Sequence, residues 1–181
     1  MSQVEQSIVT ALVDNLAERR RWDEPAELYW LNQVKGRVRL VRIPAMRTMF
    51  QLGRPPVVLA TLAHAATDRR HEIRRSVPAG LCGVAFFAEA WTVQYDTDEE
   101  VREAVRRRDT EPLSAHSRRV EQRALIAVER TGCHFYVTQP RGGAIRTEVE
   151  QRGTPDSLHS GAIPAALDAL LAAVLGVDLI E

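Results

Sequence analysis

The chain has 181 residues, 45% of them apolar and 27% charged, the composition of a globular protein with a real core rather than of a disordered segment. Its 24 basic residues balance 24 acidic ones, so no overall field draws it toward nucleic acid or an anionic membrane. Lys35 is the only lysine, and with the many alanines the arginine bias reads as codon usage, which leaves arginine abundance little functional weight.

Val4, Ile8, Ala11, Leu12 and Leu16 recur at helical spacing and predict an amphipathic helix from Val4 to Arg20, with Arg19-Arg20-Arg21 placed to complement the dipole at its end. The opening residues lack a positive region followed by an apolar run, so no secretory signal is expected, and the longest apolar stretch, Ala162 to Val177, is interrupted by Pro164 and Asp168, which argues against a membrane span. Glu27 to Leu31 and Arg37 to Ile43 predict a β-hairpin around Asn32 to Gly36, with Val38, Leu40 and either Val41 or Ile43 facing the core.

Pro55-Pro56 suits a first helical turn and predicts a second helix to about Arg75, its inner side carrying Val58, Leu62, Ala65, Arg69 and Ile73. On the opposite stripe stand His64, Asp68, His71 and Arg75. Two imidazoles and a carboxylate are metal-ligand types, but seven residues of helix separate the imidazoles by ~10 Å, so we read a solvated polar face and expect no metal or other cofactor.

Leu81 to Tyr95 is apolar on both alternating faces and predicts a central strand. Asp96 to Glu100 would cap a short charged helix over Val101 to Arg108, followed by a solvated connection to Ser117. Strands are predicted at Val120 to Glu129 and Cys133 to Gln139, joined by a turn at Gly132, and again at Ala144 to Val149 after Pro140-Arg141-Gly142-Gly143. Ile163 to Leu175 predicts a closing helix ended by Gly176.

The order of elements predicts one domain over residues 1–181 of the α+β class, a mostly antiparallel sheet of about five or six strands with helices packed on it. That order resembles profilin-like and roadblock-like domains, small dimerising or ligand-sensing folds. The resemblance is one of topology, and topology alone does not imply function.

Glu89 breaks an apolar strand beside Phe87 and Trp91, where a bare carboxylate would be costly, so it requires a partner. Arg123 lies on the next strand, and His134 and Tyr136 on the one after. Should these faces coincide, Glu89, Arg123, His134 and Tyr136 would form a polar ligand-binding cluster; the blander reading is an ion pair at the edge of the core. Cys133 and His134 are adjacent in a strand and point to opposite faces, so they cannot act as a nucleophile pair, and Ser114-Ala115-His116-Ser117 has no nucleophile elbow. Cys82 and Cys133 form no metal-spaced pair and read as small buried residues of a reducing, cytoplasmic compartment; a disulfide between them would need neighbouring strands. The clusters Arg69-Arg70, Arg74-Arg75, Arg106 to Arg108 and Arg118-Arg119 are diluted by Glu72, Glu103, Asp109 and Glu111, which argues against nucleic acid as a partner.

Three stretches carry a further likeness: Glu27 to Leu31, Arg119-Val120-Glu121-Gln122-Arg123 through Ala127 to Gly132, and Ile163 to Leu167 through Leu175-Gly176-Val177. Together they resemble uncharacterised proteins encoded by actinobacteria and their phages, over most of the chain. The resemblance implies no activity, cofactor or catalytic residue. Without a strong catalytic motif, the sequence points to a non-catalytic interaction protein that self-associates as a homo-oligomer or binds another protein, through a sheet edge or the first and closing helices. The alternative is a small-molecule-binding or enzymatic domain using the Glu89 cluster.

Overall fold

The computed structural model describes residues 1–43, 46–68, 72–93, 99–100, 117–153 and 161–176. Within them the order is α1 (Gln3–Glu18), β1 (Glu27–Val34), β2 (Arg37–Arg42), α2 (Met46–Leu52), α3 (Pro55–Ala66), α4 (Glu72–Arg75), β3 (Leu81–Val93), β4 (Arg119–Glu129), β5 (Cys133–Pro140), β6 (Arg146–Gln151) and α5 (Ala162–Leu175). The strands form one six-stranded sheet in the order β2-β1-β3-β4-β5-β6, antiparallel at every pairing, and helices pack on both faces. The α+β expectation is met. The predicted helix over Val101 to Arg108 lies outside the described residues.

Helix α1 covers one face of the sheet. A capping box starts it: Ser2 Oγ accepts from Glu5 N–H at 3.2 Å, and a Glu5 carboxylate oxygen accepts from Ser2 N–H at 2.7 Å. Its buried Ile8, Leu12 and Leu16 pack against Tyr29, Leu31, Phe87, Leu125, Phe135 and Val137. Helices α2 to α5 take the other face, where Leu59, Leu62, Ile73, Leu167 and Leu171 meet Leu28, Trp30, Val84, Phe86 and Val128. Seven consecutive residues from Leu81 to Phe87 are therefore buried, which is why the inner half of β3 reads as a continuous apolar run although the sheet is antiparallel.

The structure corrects several boundaries. The first hairpin turns at Lys35-Gly36, both at positive φ (49° and 77°), so β1 runs to Val34; Ile43 and Val38 are buried while Val41 is exposed. The second helix stops at Ala66 rather than near Arg75, where its last bonds tighten to the i→i+3 pattern, Thr67 N–H to the His64 carbonyl at 3.1 Å and Asp68 N–H to the Ala65 carbonyl at 3.2 Å. Arg74 on α4 then donates to the Ala173 and Val174 carbonyls at 3.0 and 2.9 Å, capping the end of α5. With α3 ended, His64 and Asp68 no longer share a helical stripe, and His71 lies outside the described residues. The outer half of β3 leaves the core, so Trp91 is 48% exposed, with the Arg119 guanidinium 5.1 Å from its ring centroid. Strand β4 separates Cys82 from Cys133, and both thiols are free.

Candidate functional site

The chain leaves α1 at Arg19, whose extended ψ of 111° ends the helix and sends residues 20–26 across one end of the sheet. Arg19 caps the helix as its position in the basic run leads one to expect, its N–H bonding the Leu16 carbonyl and its guanidinium reaching back to Asn15 Oδ1 in the last turn at 3.3 Å. Its guanidinium turns inward over the Phe87 ring, 3.4 Å from the centroid, and donates to Glu24 at 2.5 Å, Glu27 at 2.7 Å and the Tyr29 hydroxyl at 2.6 Å. Tyr29 in turn donates to Glu27, which also accepts from Arg42 at 3.0 Å. Burial alone would raise the Glu27 carboxyl, but the bonds from Tyr29, Arg19 and Arg42 outweigh it and hold Glu27 below the usual carboxylate range. The same burial, together with Glu27, pushes the Tyr29 hydroxyl well above its ordinary value.

Beside this network the predicted Glu89–Arg123 pair forms. The residues stand directly opposite each other across β3 and β4, and Arg123 Nε donates to Glu89 Oε1 at 3.1 Å. Arg123 is 3% exposed, and its Nη1 donates to the Arg19 carbonyl at 2.7 Å. Trp22 lies against its guanidinium, with the ring centroid 4.3 Å from the Arg123 carbon and 4.9 Å from that of Arg141. The second Glu89 oxygen accepts from the Asp23 and Glu24 N–H groups at 2.5 and 3.3 Å, an approach set by Asp23 at a left-handed φ of 66°.

A cleft of about 600 Å³ opens over this end of the sheet, lined by Asp23, Glu24, Gln51, Glu89, Trp91 and Glu121 among others. Carboxylate oxygens of Asp23, Glu89 and Glu121 lie within 4.8 Å of one another, close enough to share a cation. Two of the three are already balanced, Glu89 by Arg123 and Glu121 by Arg141 at 2.5 Å. The cleft is thus an acidic surface resting on a satisfied ionic layer.

His134 and Tyr136 do not join it. Across the β4–β5 hairpin, His134 faces Val128 and Tyr136 faces Ile126, residues of the α3/α5 face, whereas Arg123 faces Gln139 and shares the α1 face with Leu125. The sheet therefore divides the expected four-residue cluster into two pairs on opposite sides. His134 Nε2 lies 2.8 Å from Asp168 Oδ2 on α5, and Arg152 donates to Asp168 Oδ1 at 2.5 Å. Burial would raise the Asp168 carboxyl, but these two partners outweigh it and lower it. Burial also pushes the Tyr136 hydroxyl up to about 12, assisted by Glu150, Asp168 and Glu148. The arrangement ties α5 to the sheet through one carboxylate bound on both oxygens.

Sequence reasoning missed Trp22, Arg19 and Asp168. Asp168 carried a signal, as a single acid among the apolar residues of the closing helix; the Trp22 stack depends on a loop path that no periodicity encodes. Comparison with protein-family models, curated proteins and solved structures returns no match to this chain.

Proposed function

We propose that this chain is a non-catalytic cytoplasmic interaction protein that works by self-association. The observation that carries the reading is the pair of strands that end the sheet: β2 and β6 each turn one row of backbone N–H and C=O groups outward, and such rows are templates for another strand. The apolar sides of α1 and α5, the other contact elements expected from sequence, are packed against the sheet, which leaves their outer faces as the alternative surface. No helix among the described residues is long and apolar enough to cross a membrane, which accords with a role away from the bilayer. The ionisable groups first suspected of chemistry, Glu89, Arg123 and His134, hold loops and helices in place.

Light scattering on the full chain across a concentration series tests the reading. A mass that climbs above the 20.3 kDa of one chain is the expected result, and a strict monomer throughout would dispose of it.

A second reading, a small-molecule site, is favoured by the exposed Trp91 wall and the three converging carboxylates, which suit a cationic amine. It requires a panel of amines to raise Tm in the native chain and to lose that effect in Glu121→Gln; no shift with any of them removes it.

A further inference from the structure

Two properties of the end strands specify how copies would join. The sheet has six strands, antiparallel at every pairing, so β2 and β6 run in opposite directions. A second copy that continues the sheet therefore brings its β2 antiparallel to β6 of the first and keeps the same helices on the same faces. The strands also match in length, Arg37–Arg42 against Arg146–Gln151.

Their charges are complementary on one face. Arg39 is opposite Asn32, and Val41 opposite the buried Trp30, which places Arg37, Arg39 and Val41 on the α3/α5 side. Glu148 and Glu150 are opposite Tyr136 and His134, on that same side. Pairing β2 with β2 would set arginine against arginine, and pairing β6 with β6 would set Glu148 against Glu148 even where Arg146, on the same face, meets Glu150, whereas β2 against β6 sets both arginines against glutamates.

The register agrees. Placing Arg39 opposite Glu148 also places Arg37 opposite Glu150, and on the α1 face it sets Val38 opposite Val149, which is 40% exposed. Backbone direction fits the same alignment. Ile43 N–H donates to the Leu28 carbonyl at 2.9 Å, so Ile43 and every second residue before it bond inward to β1 and Val38 and Leu40 point outward. Arg152 N–H donates to the Gly132 carbonyl at 2.6 Å, which by the same alternation turns Thr147 and Val149 outward. Val38 would then exchange hydrogen bonds with Val149, and Leu40 with Thr147. The arginine–glutamate pairs fall at the intervening positions, where side chains of antiparallel strands come closest. One outward donor is already engaged, since Val38 N–H donates to Ser7 Oγ at 2.8 Å, and pairing would exchange that bond for one to a strand carbonyl.

We infer that copies of this chain associate head to tail, β2 of one against β6 of the next, with Arg37 and Arg39 facing Glu150 and Glu148. The inference rests on the self-association reading and names its interface. Because the contact is heterologous, it yields a ring or a growing chain rather than a two-fold dimer.

Sedimentation velocity and light scattering at low and high salt test it on the full chain, on Arg37→Glu/Arg39→Glu, on Glu148→Arg/Glu150→Arg, and on the four substitutions combined. The wild type should assemble and lose mass as salt rises. Each paired reversal should be monomeric with an unchanged circular dichroism spectrum, while an equimolar mixture of the two, and the fourfold variant, should reassemble. Thr147→Pro removes an outward N–H without touching the bonds to β5 and should also give a monomer. Wild-type assembly that survives both reversals and Thr147→Pro overturns this interface and leaves self-association standing, as does a mixture that stays monomeric. A wild type that is monomeric at every concentration overturns both.

Discussion

Glu89 and Arg123 face each other across β3 and β4 and close a 3.1 Å ion pair whose arginine also holds the Arg19 carbonyl at the end of α1. The pair joins the sheet to the loop that follows α1, with both side chains nearly out of solvent. Removing one member leaves the other charged and buried, so Arg123→Met should destabilise the fold by about 3–5 kcal/mol in urea unfolding. Glu89→Gln keeps an acceptor for the Asp23 and Glu24 N–H groups and should lose less. If Arg123→Met changed stability by under about 1 kcal/mol, the pair would have to be well solvated.

The two polar pairs stand on opposite faces of one sheet. Glu89→Gln and His134→Gln should therefore be additive in stability to within about 0.5 kcal/mol, the usual limit for independent sites. A double-mutant cycle with a larger coupling energy would mean that the four residues act as one cluster after all.

The same division shows what could be read from sequence. Alternation along β4 and β5 was legible, and so was the need of Glu89 for a partner, since a carboxylate between Phe87 and Trp91 has few alternatives. Which side each strand turns to the next was not taken from the hairpin. The connection is three residues, Arg130-Thr131-Gly132, and it sets odd positions opposite odd ones, so Arg123 and His134 necessarily diverge. The six strands and the closing helix followed from period and punctuation, with Gly176 at its left-handed φ of 71°. The early end of α3 is not reported by helical periodicity, which runs on past Ala66.

Gly83 offers a test of sheet packing independent of charge. It lies within the buried run of β3, where a Cβ would stand 2.4 Å from the Val128 carbonyl oxygen and 3.0 Å from Leu31 Cδ1. The carbonyl belongs to the neighbouring strand and cannot swing aside as a side chain could. Gly83→Ala should cost at least the upper part of the ~1–3 kcal/mol usual for overpacking, read as a lowered Tm. An unchanged Tm would require β3 and β4 to lie farther apart at this point.

Acid stability should depend on Asp168 and Glu27. In both, burial opposes ionisation and is outweighed, by His134 and Arg152 for Asp168 and by Tyr29, Arg19 and Arg42 for Glu27, so both folded-state values lie below the ordinary ones. Below the unfolded values, about 3.9 for Asp and 4.3 for Glu, the unfolded chain binds more protons than the folded one. The stability these groups contribute is then fully present above that range and is lost as pH falls through it toward the folded-state values. Tm should thus hold between neutrality and about pH 5 with respect to these groups, and drop below about pH 4. Asp168→Asn and Glu27→Gln should each melt lower than wild type at pH 7 and lose less on acidification, so that the curves converge at low pH. Variant curves that run parallel to wild type down to about pH 2 would show that neither carboxylate is ionised more readily in the folded chain than in the unfolded one.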